Sequence, residues 1–396
     1  MGLLDEESEY RKTVIGFIIF FMFAAIMTII FIITPLDVII QMNFFDPNQP
    51  AGSRFIYADN EPWKFLYFQE GAILFTYLLI SLLLFIESRK SEKSRILALF
   101  AWFLLSVAIV GTGIVVNGIF KSYWGRPRPR ETIPFGNDYP FYHVWYPAFW
   151  DTISTTQAPA LIKDVLDNSS FSAGHPSEAI VFIAVFLILL KPEILLDALR
   201  SNEKNKRWAL AFAALFSIGA IFSIFMIIQK YNKNNARILA ATAGFALVFW
   251  IVYVLLKQNQ KENQIRILNL AKYASLIVSI VGGIMMGLAR AVQFGHWPSD
   301  SMWTFIFVYI IAFGLYFYVF RFHKENYQSI EEIKSKRKEI IRRFIMMLYP
   351  FVIIASVVWI LEYMLLPSIF FPELIAAMIL NITFPAIIVK IKNRAA

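Results

Sequence analysis

No cysteine occurs in the chain, so neither disulfides nor thiolate metal sites are available, and the redox compartment cannot be read from it. Charge is thin as well: 16% of the 396 residues are Asp, Glu, Lys or Arg, and only four are histidine. Hydrophobic residues reach 58%, above the roughly 45–50% of an ordinary soluble domain. Apolar stretches near the roughly 20 residues that cross a bilayer as a helix recur along the whole length. A soluble fold could not hide that much apolar surface, which leaves an all-α, polytopic membrane helix bundle. The net charge of +9 does not argue for nucleic acid, because the basic residues sit in short loops between apolar runs. Membrane topology accounts for them there.

The pattern predicts ten spans: 13–34, 70–87, 97–120, 176–190, 208–228, 237–256, 268–288, 301–320, 344–365 and 374–389. The first follows an acidic start (DEESEY) with no small-residue cleavage site behind it, so a retained helix is expected rather than a signal peptide. With the N-terminus inside, 26 of the 37 lysines and arginines fall on the inner side and 11 outside, counting Lys272 at the inner end of its span. The positive-inside rule prefers that orientation. The basic loop QKYNKNNAR (229–237) falls outside and makes the hairpin 208–256 the weakest element of this topology.

That parity puts three polar clusters on one, outer, side: KSYWGRPRPR (121–130), FSAGHPSE (171–178) and ARAVQFGHWPSD (289–300). They supply Lys121, Arg126, Arg128, Arg130, His175, Arg290, His296 and Asp300. Each has an ordinary reading taken alone: an interfacial anchor, a helix start with Pro176 at the first helical position and Glu178 in the first turn, and a loop whose charges meet water. None of these explains why all three share a face. Charges near a membrane are costly and tend to be functional, and converging cations beside two histidines describe a site for phosphate.

These residues resemble the three signatures of the type 2 phosphatidic acid phosphatase family, the membrane lipid phosphate phosphatases, related to acid phosphatases and vanadium haloperoxidases. Lys121 and Arg128-Pro129 fit K-x6-R-P, Gly174-His175 fit the end of P-S-G-H, and Arg290, His296 and Asp300 fit S-R-x5-H-x3-D. Two family serines are replaced, by Ala173 and Ala289, and Ser172 takes the family proline position. Ser172 is the candidate substitute for a lost hydroxyl, and backbone N–H groups at 173–175 precede a helix start, a natural anion site. The resemblance covers a six-span core within 13–190 and 268–320 of a single integral membrane domain, 1–396. The hairpin 208–256 and the C-terminal hairpin 344–392 read as additions without an assigned role.

Cleaving a phosphomonoester needs neutralised equatorial oxygens, an in-line nucleophile and a proton for the leaving oxygen. Lys121, Arg128 and Arg290, with Gly174 and Ser172, are the expected phosphate-binding set. His296 is the expected nucleophile and His175 the general acid, as the resemblance also implies. Asp300, four residues after His296, is placed to accept one ring N–H if that stretch is helical. No metal or other cofactor is expected, since three cations converging on one spot repel a metal ion.

The expected partners are a lipid phosphate substrate and membrane lipids, not nucleic acid. The expected place is a bacterial inner (cell) membrane, with the site on the extracytoplasmic face. A lipid-to-lipid phosphotransferase and a non-catalytic lipid-binding or transport protein are the competing readings. Phosphotransfer is separated from hydrolysis by product analysis with an acceptor lipid, and the intact histidine pair argues against the non-catalytic reading. The aromatic stretch FYHVWYPAFW (141–150) reads as a lid or an interfacial anchor, with His143 a surface residue, and the sequon at Asn168 carries no weight.

Overall fold

The computed structural model describes residues 3–69, 71–122, 124–146, 170–199, 205–230, 232–325, 327 and 330–365. Among them the regular elements are helices, and no strand occurs. In chain order they are α1 (Leu3–Ile33), α2 (Leu36–Met42), α3 (Trp63–Phe68), α4 (Ala72–Glu87) and α5 (Ile96–Lys121). Then come α6 (Gly174–Ile188), α7 (Pro192–Leu199), α8 (Asn205–Gln229) and α9 (Lys233–Lys257). The series closes with α10 (Lys261–Val292), α11 (Pro298–Val319) and α12 (Ile330–Leu365).

Six of these are long and apolar enough to cross a bilayer: α1 from Tyr10, α5, α8 from Ala209, α9, α10 and α11. They match six of the ten expected spans. The span expected at 70–87 is the 16-residue α4, about 24 Å long at 1.5 Å per residue. The span expected at 176–190 is half of a broken element, because α7 leaves α6 at 83°. Pro192 opens α7, and a proline cannot continue the helix before it. The run 344–365 forms the second half of α12, which begins in what reads as a charged loop. Pairs one turn apart, Lys336–Glu332 at 2.8 Å and Arg343–Glu339 at 2.9 Å, support that early start. The last expected span, 374–389, lies outside the described residues.

Burial sorts the spans. In α11, α5 and α10, 61%, 56% and 50% of the most apolar window is buried, against 17% in α1 and α9 and 11% in α8. The first three are central and the others face outward. Lipid is as apolar as leucine, so the central helices gain from close packing rather than from leaving water. Gly283 and Gly287, one turn apart on α10, make the approach possible. A Cβ on Gly283 would lie 2.5 Å from Phe305 of α11 and 2.7 Å from Ile180 of α6, and one on Gly287 would lie 2.9 Å from Ser301. The hairpin α8–α9 packs through α9 onto α4 and α3.

Candidate active site

The third sequence cluster is the turn between α10 and α11. Arg290 lies in the last turn of α10, and residues 293–297 reverse the chain. The N–H groups of Gly295 and His296 both donate to the Arg290 carbonyl, at 2.9 and 3.3 Å. Phe294 takes a left-handed φ of 54°, a conformation costing about 1–3 kcal/mol. Its ring is held by stacking on Phe55 (centroids 4.3 Å apart) and an edge contact with Phe135 (4.8 Å). A Cβ at Gly295 would collide with the Arg290 guanidinium, so glycine is what leaves that side chain its room.

His296 is 1% exposed. Its Nδ1 lies 2.6 Å from the Ser170 carbonyl, so Nδ1 is the donor and Nε2 keeps the lone pair of the neutral ring. Burial first, then the charges of Arg290, Lys121 and His175, hold its titration well below the usual histidine range. The Gln41 amide donates to the His296 carbonyl at 2.8 Å and so fixes its backbone from α2.

Asp300 does not accept the His296 ring N–H. It stands 4.0 Å from Nδ1, because the turn before α11 is not helical: Trp297 is the N-cap and α11 starts one residue later. Both Asp300 oxygens are engaged elsewhere. Oδ2 accepts from the Trp297 N–H (2.9 Å) and the Ser170 hydroxyl (2.6 Å), and Oδ1 accepts from Arg126 (2.5 Å). Asp300 therefore acts on His296 through Ser170.

Arg126 belongs to this buried support and not to the set of cations facing a ligand. It is fully buried and donates to Asp300, to Asp37 (2.8 Å), to Ser299 Oγ (2.8 Å) and to the Tyr142 carbonyl (3.0 Å). Asp37 also accepts from the Ser299 N–H (2.9 Å) and hydroxyl (2.5 Å). Burial lowers the Arg126 pKa, but Asp300 and Asp37 more than reverse this and raise it.

The first and second clusters meet at Gly174. A Cβ there would lie 2.6 Å from Asn117 Oδ1 and 3.4 Å from Lys121 Nζ, so the end of α5 approaches the bare backbone at the start of α6. His175 packs its ring against that of Tyr67 (5.3 Å), and the Arg290 guanidinium also lies over the Tyr67 ring, at 4.7 Å. Lys233, from the α8–α9 hairpin, lies 5.2 Å from it. Arg128 and Arg290 line a cleft of about 270 Å³ with Tyr67, Lys64, Arg130, Asp59 and Gln293. Burial first, then Arg130, lowers the Arg128 pKa.

Ser172 is placed differently from its expected role: it is fully buried, and its hydroxyl lies 3.4 Å from the Val116 carbonyl inside the bundle. His143 is not a free surface residue, since its Nδ1 meets the Phe31 carbonyl at 2.9 Å. The described part of the aromatic loop is packed down, with Phe141 on Trp297 (4.9 Å) and Trp145 on Trp303 (4.4 Å). Its continuation through 147–150, like Asn168 of the sequon, lies outside the described residues. Among the described residues no group of three or more His, Cys, Asp or Glu is arranged to hold a metal ion.

The sequence reading missed Asp37, Ser170, Ser299, Gln41 and Tyr67. Asp37 alone carried a signal, as an isolated acid just after the first span (TPLDVII).

The helical membrane bundle thus gathers two histidines and a set of cations at one end, an arrangement with the charge to receive a phosphate. Residues 100–229 match the PAP2 superfamily model, in keeping with the resemblance of the three motifs to the type 2 phosphatidic acid phosphatase family. It is similar to a lipid A 4'-phosphatase of Francisella tularensis subsp. novicida (strain U112), 28% identical over 185 residues, covering 46% of this chain and 70% of the relative. No solved structure matches. The family match contains Lys121, Arg128 and His175 and stops short of Arg290, His296 and Asp300, whose place beside the others rests on the geometry above.

Proposed function

We propose that the chain hydrolyses a phosphate from a lipid head group at the outer face of the membrane through a phosphohistidine at His296. The observation that carries this reading is the buried, neutral His296 ring. Its Nδ1–H is committed to the Ser170 carbonyl, while Arg290, Lys121 and His175 stand close enough to act on its titration.

Nε2 attacks phosphorus in line, with the charge of the equatorial oxygens taken by Lys121, Arg128 and Arg290. The phosphorus–oxygen bond to the lipid breaks as His175 gives its proton to the leaving oxygen. Water then loses a proton to His175 and attacks the phosphohistidine, which releases inorganic phosphate and restores both rings. Positive charge that develops on the His296 ring faces the Ser170 carbonyl, and the Asp300 carboxylate lies 4.0 Å away. The name of the Francisella relative, a lipid A 4'-phosphatase, makes lipid A the first substrate to test.

Purified protein in detergent is expected to release phosphate from a lipid phosphate in the presence of a chelator, and vanadate is expected to inhibit by occupying the phosphoryl position. Loss of activity on chelation, restored by one divalent ion, overturns the phosphohistidine reading in favour of metal catalysis.

The outer-face placement is tested by single cysteines, introduced cleanly because the chain has none. Asp138, in the exposed loop after the first motif, and Ser335, exposed on α12, serve as the two positions. An impermeant thiol reagent added to intact cells is expected to label position 138 and not 335. The opposite pattern puts the site in the cytoplasm.

A further inference from the structure

The cleft beside the site holds more positive charge than one phosphoryl group calls for. Its lining includes Arg128 and Arg290, already assigned to the transferred phosphoryl, and in addition Lys64 and Arg130, with Asp59 as the one carboxylate of the lining. Neither Lys64 nor Arg130 belongs to the motifs that identify the family.

Both are fixed to the same turn that carries His296. The Gln293 side chain accepts from Arg290 (2.8 Å) and donates to the carbonyls of Ala58 (3.4 Å) and Trp63 (3.3 Å), the latter one residue before Lys64. The Arg130 N–H donates to the Phe294 carbonyl at 3.3 Å, two residues before His296. Glu131 only weakly offsets Arg130, at 3.9 Å on the exposed side, while its other oxygen caps the Arg128 N–H at 2.8 Å. Room is available as well. A cavity of about 270 Å³ holds on the order of nine waters at about 30 Å³ each, more than the heavy atoms of a single phosphoryl group.

From this geometry, and resting on the phosphatase reading above, we infer that Lys64 and Arg130 form a second anionic subsite, which holds a second phosphate carried by the same lipid. The arginine fork and the lysine point charge suit a phosphate dianion. The second phosphate reaches the subsite either as the neighbouring unit of a diphosphate or from another position on the head group. In both cases the subsite selects doubly phosphorylated lipids over monophosphates. Lys64 and Arg130 touch the part of the substrate that does not react, so their effect falls on KM.

The test is steady-state kinetics of the full chain on three lipids: a monophosphate, a diphosphate with the same tail, and a lipid with two phosphates on separate positions. A charge-assisted contact is worth roughly tenfold in affinity. In the variant K64Q/R130Q, the kcat/KM ratio of at least one doubly phosphorylated lipid over the monophosphate is expected to fall tenfold or more, through KM. The lipid that shows the fall identifies the source of the second phosphate. An unchanged ratio on both doubly phosphorylated lipids overturns the subsite, including the case in which all three substrates weaken equally. A wild-type protein inert on all three overturns the proposed function instead. Should the double variant fail to fold, Lys64→Gln alone is read by competition. Inorganic pyrophosphate is expected to inhibit the wild type more tightly than inorganic phosphate, with the gap narrowing in the variant, and equal inhibition by the two anions in the wild type overturns the subsite.

Discussion

His296→Ala is expected to abolish phosphate release from every substrate, whatever its leaving group, because no covalent intermediate can form without the Nε2 nucleophile. His175→Ala separates the two roles. A lipid alkoxide departs poorly without a proton, whereas nitrophenolate needs little help. The variant is expected to lose about 10²–10⁴-fold on a lipid monophosphate, and progressively less as the leaving group improves. Acid-labile, base-stable phosphate on the wild-type protein, absent from His296→Ala, accompanies this pattern.

The sign of the pH dependence follows from the same ring. Protonated imidazole is no nucleophile, so the rate on an activated ester rises as pH climbs through the His296 titration. Burial, Arg290, Lys121 and His175 push that titration well below the ordinary 6.5, so the acid limb is expected to be complete before pH 6.5. Arg290→Gln removes the largest charge contribution and should move the limb upward in whatever activity remains. Rescue of His296→Ala, but not of His175→Ala, by the better leaving group reverses the assignment of the two histidines.

The parts of the site legible in the sequence are those set by local chain. Hydropathy located the central spans α5, α10 and α11, and the motif spacing located Lys121, Arg128, His175, Arg290 and His296, because each motif sits in one loop or at one helix end. Where the reading failed, a local rule met a long-range partner. Spacing alone made Asp300 a direct partner of His296. That reading presupposes a helix through residues 296–300, and the chain instead starts α11 at Pro298 and turns Asp300 back onto the Trp297 N–H. Arg126, flanked by Arg128 and Arg130, looked like one more phosphate cation. Its partners Asp37 and Asp300 lie 89 and 174 residues away, beyond the reach of any spacing rule. Tyr67 sits in a short helix with no recognisable pattern, and only the assembled bundle brings His175, Arg290 and Lys233 to its ring.

Arg126→Met is expected to unfold much of the protein while leaving every proposed phosphate contact formally in place. The wild-type side chain is fully buried between two buried carboxylates, Asp37 and Asp300. Removing it leaves two like charges facing one another in the interior with no cation between them, and breaking a buried pair from one side costs about 3–5 kcal/mol. Arg126→Lys should recover only part of this, since one ammonium cannot span four acceptors that a planar fork reaches at once. Asp37→Asn tests the logic from the other side. In the Arg126→Met background it removes one of the stranded charges, so the double variant should be more stable than the single, a coupling that a purely steric role for Arg126 does not produce. The folded fraction is measured by size-exclusion profile and thermal midpoint in detergent, with phosphate release assayed on whatever remains folded. A fully stable Arg126→Met with wild-type turnover removes the buried charge cluster from the account of how His296 is held. A variant that folds but turns over slowly shows the cluster acting through Asp300 and Ser170 on the His296 ring, because those contacts are the route by which Arg126 reaches the nucleophile.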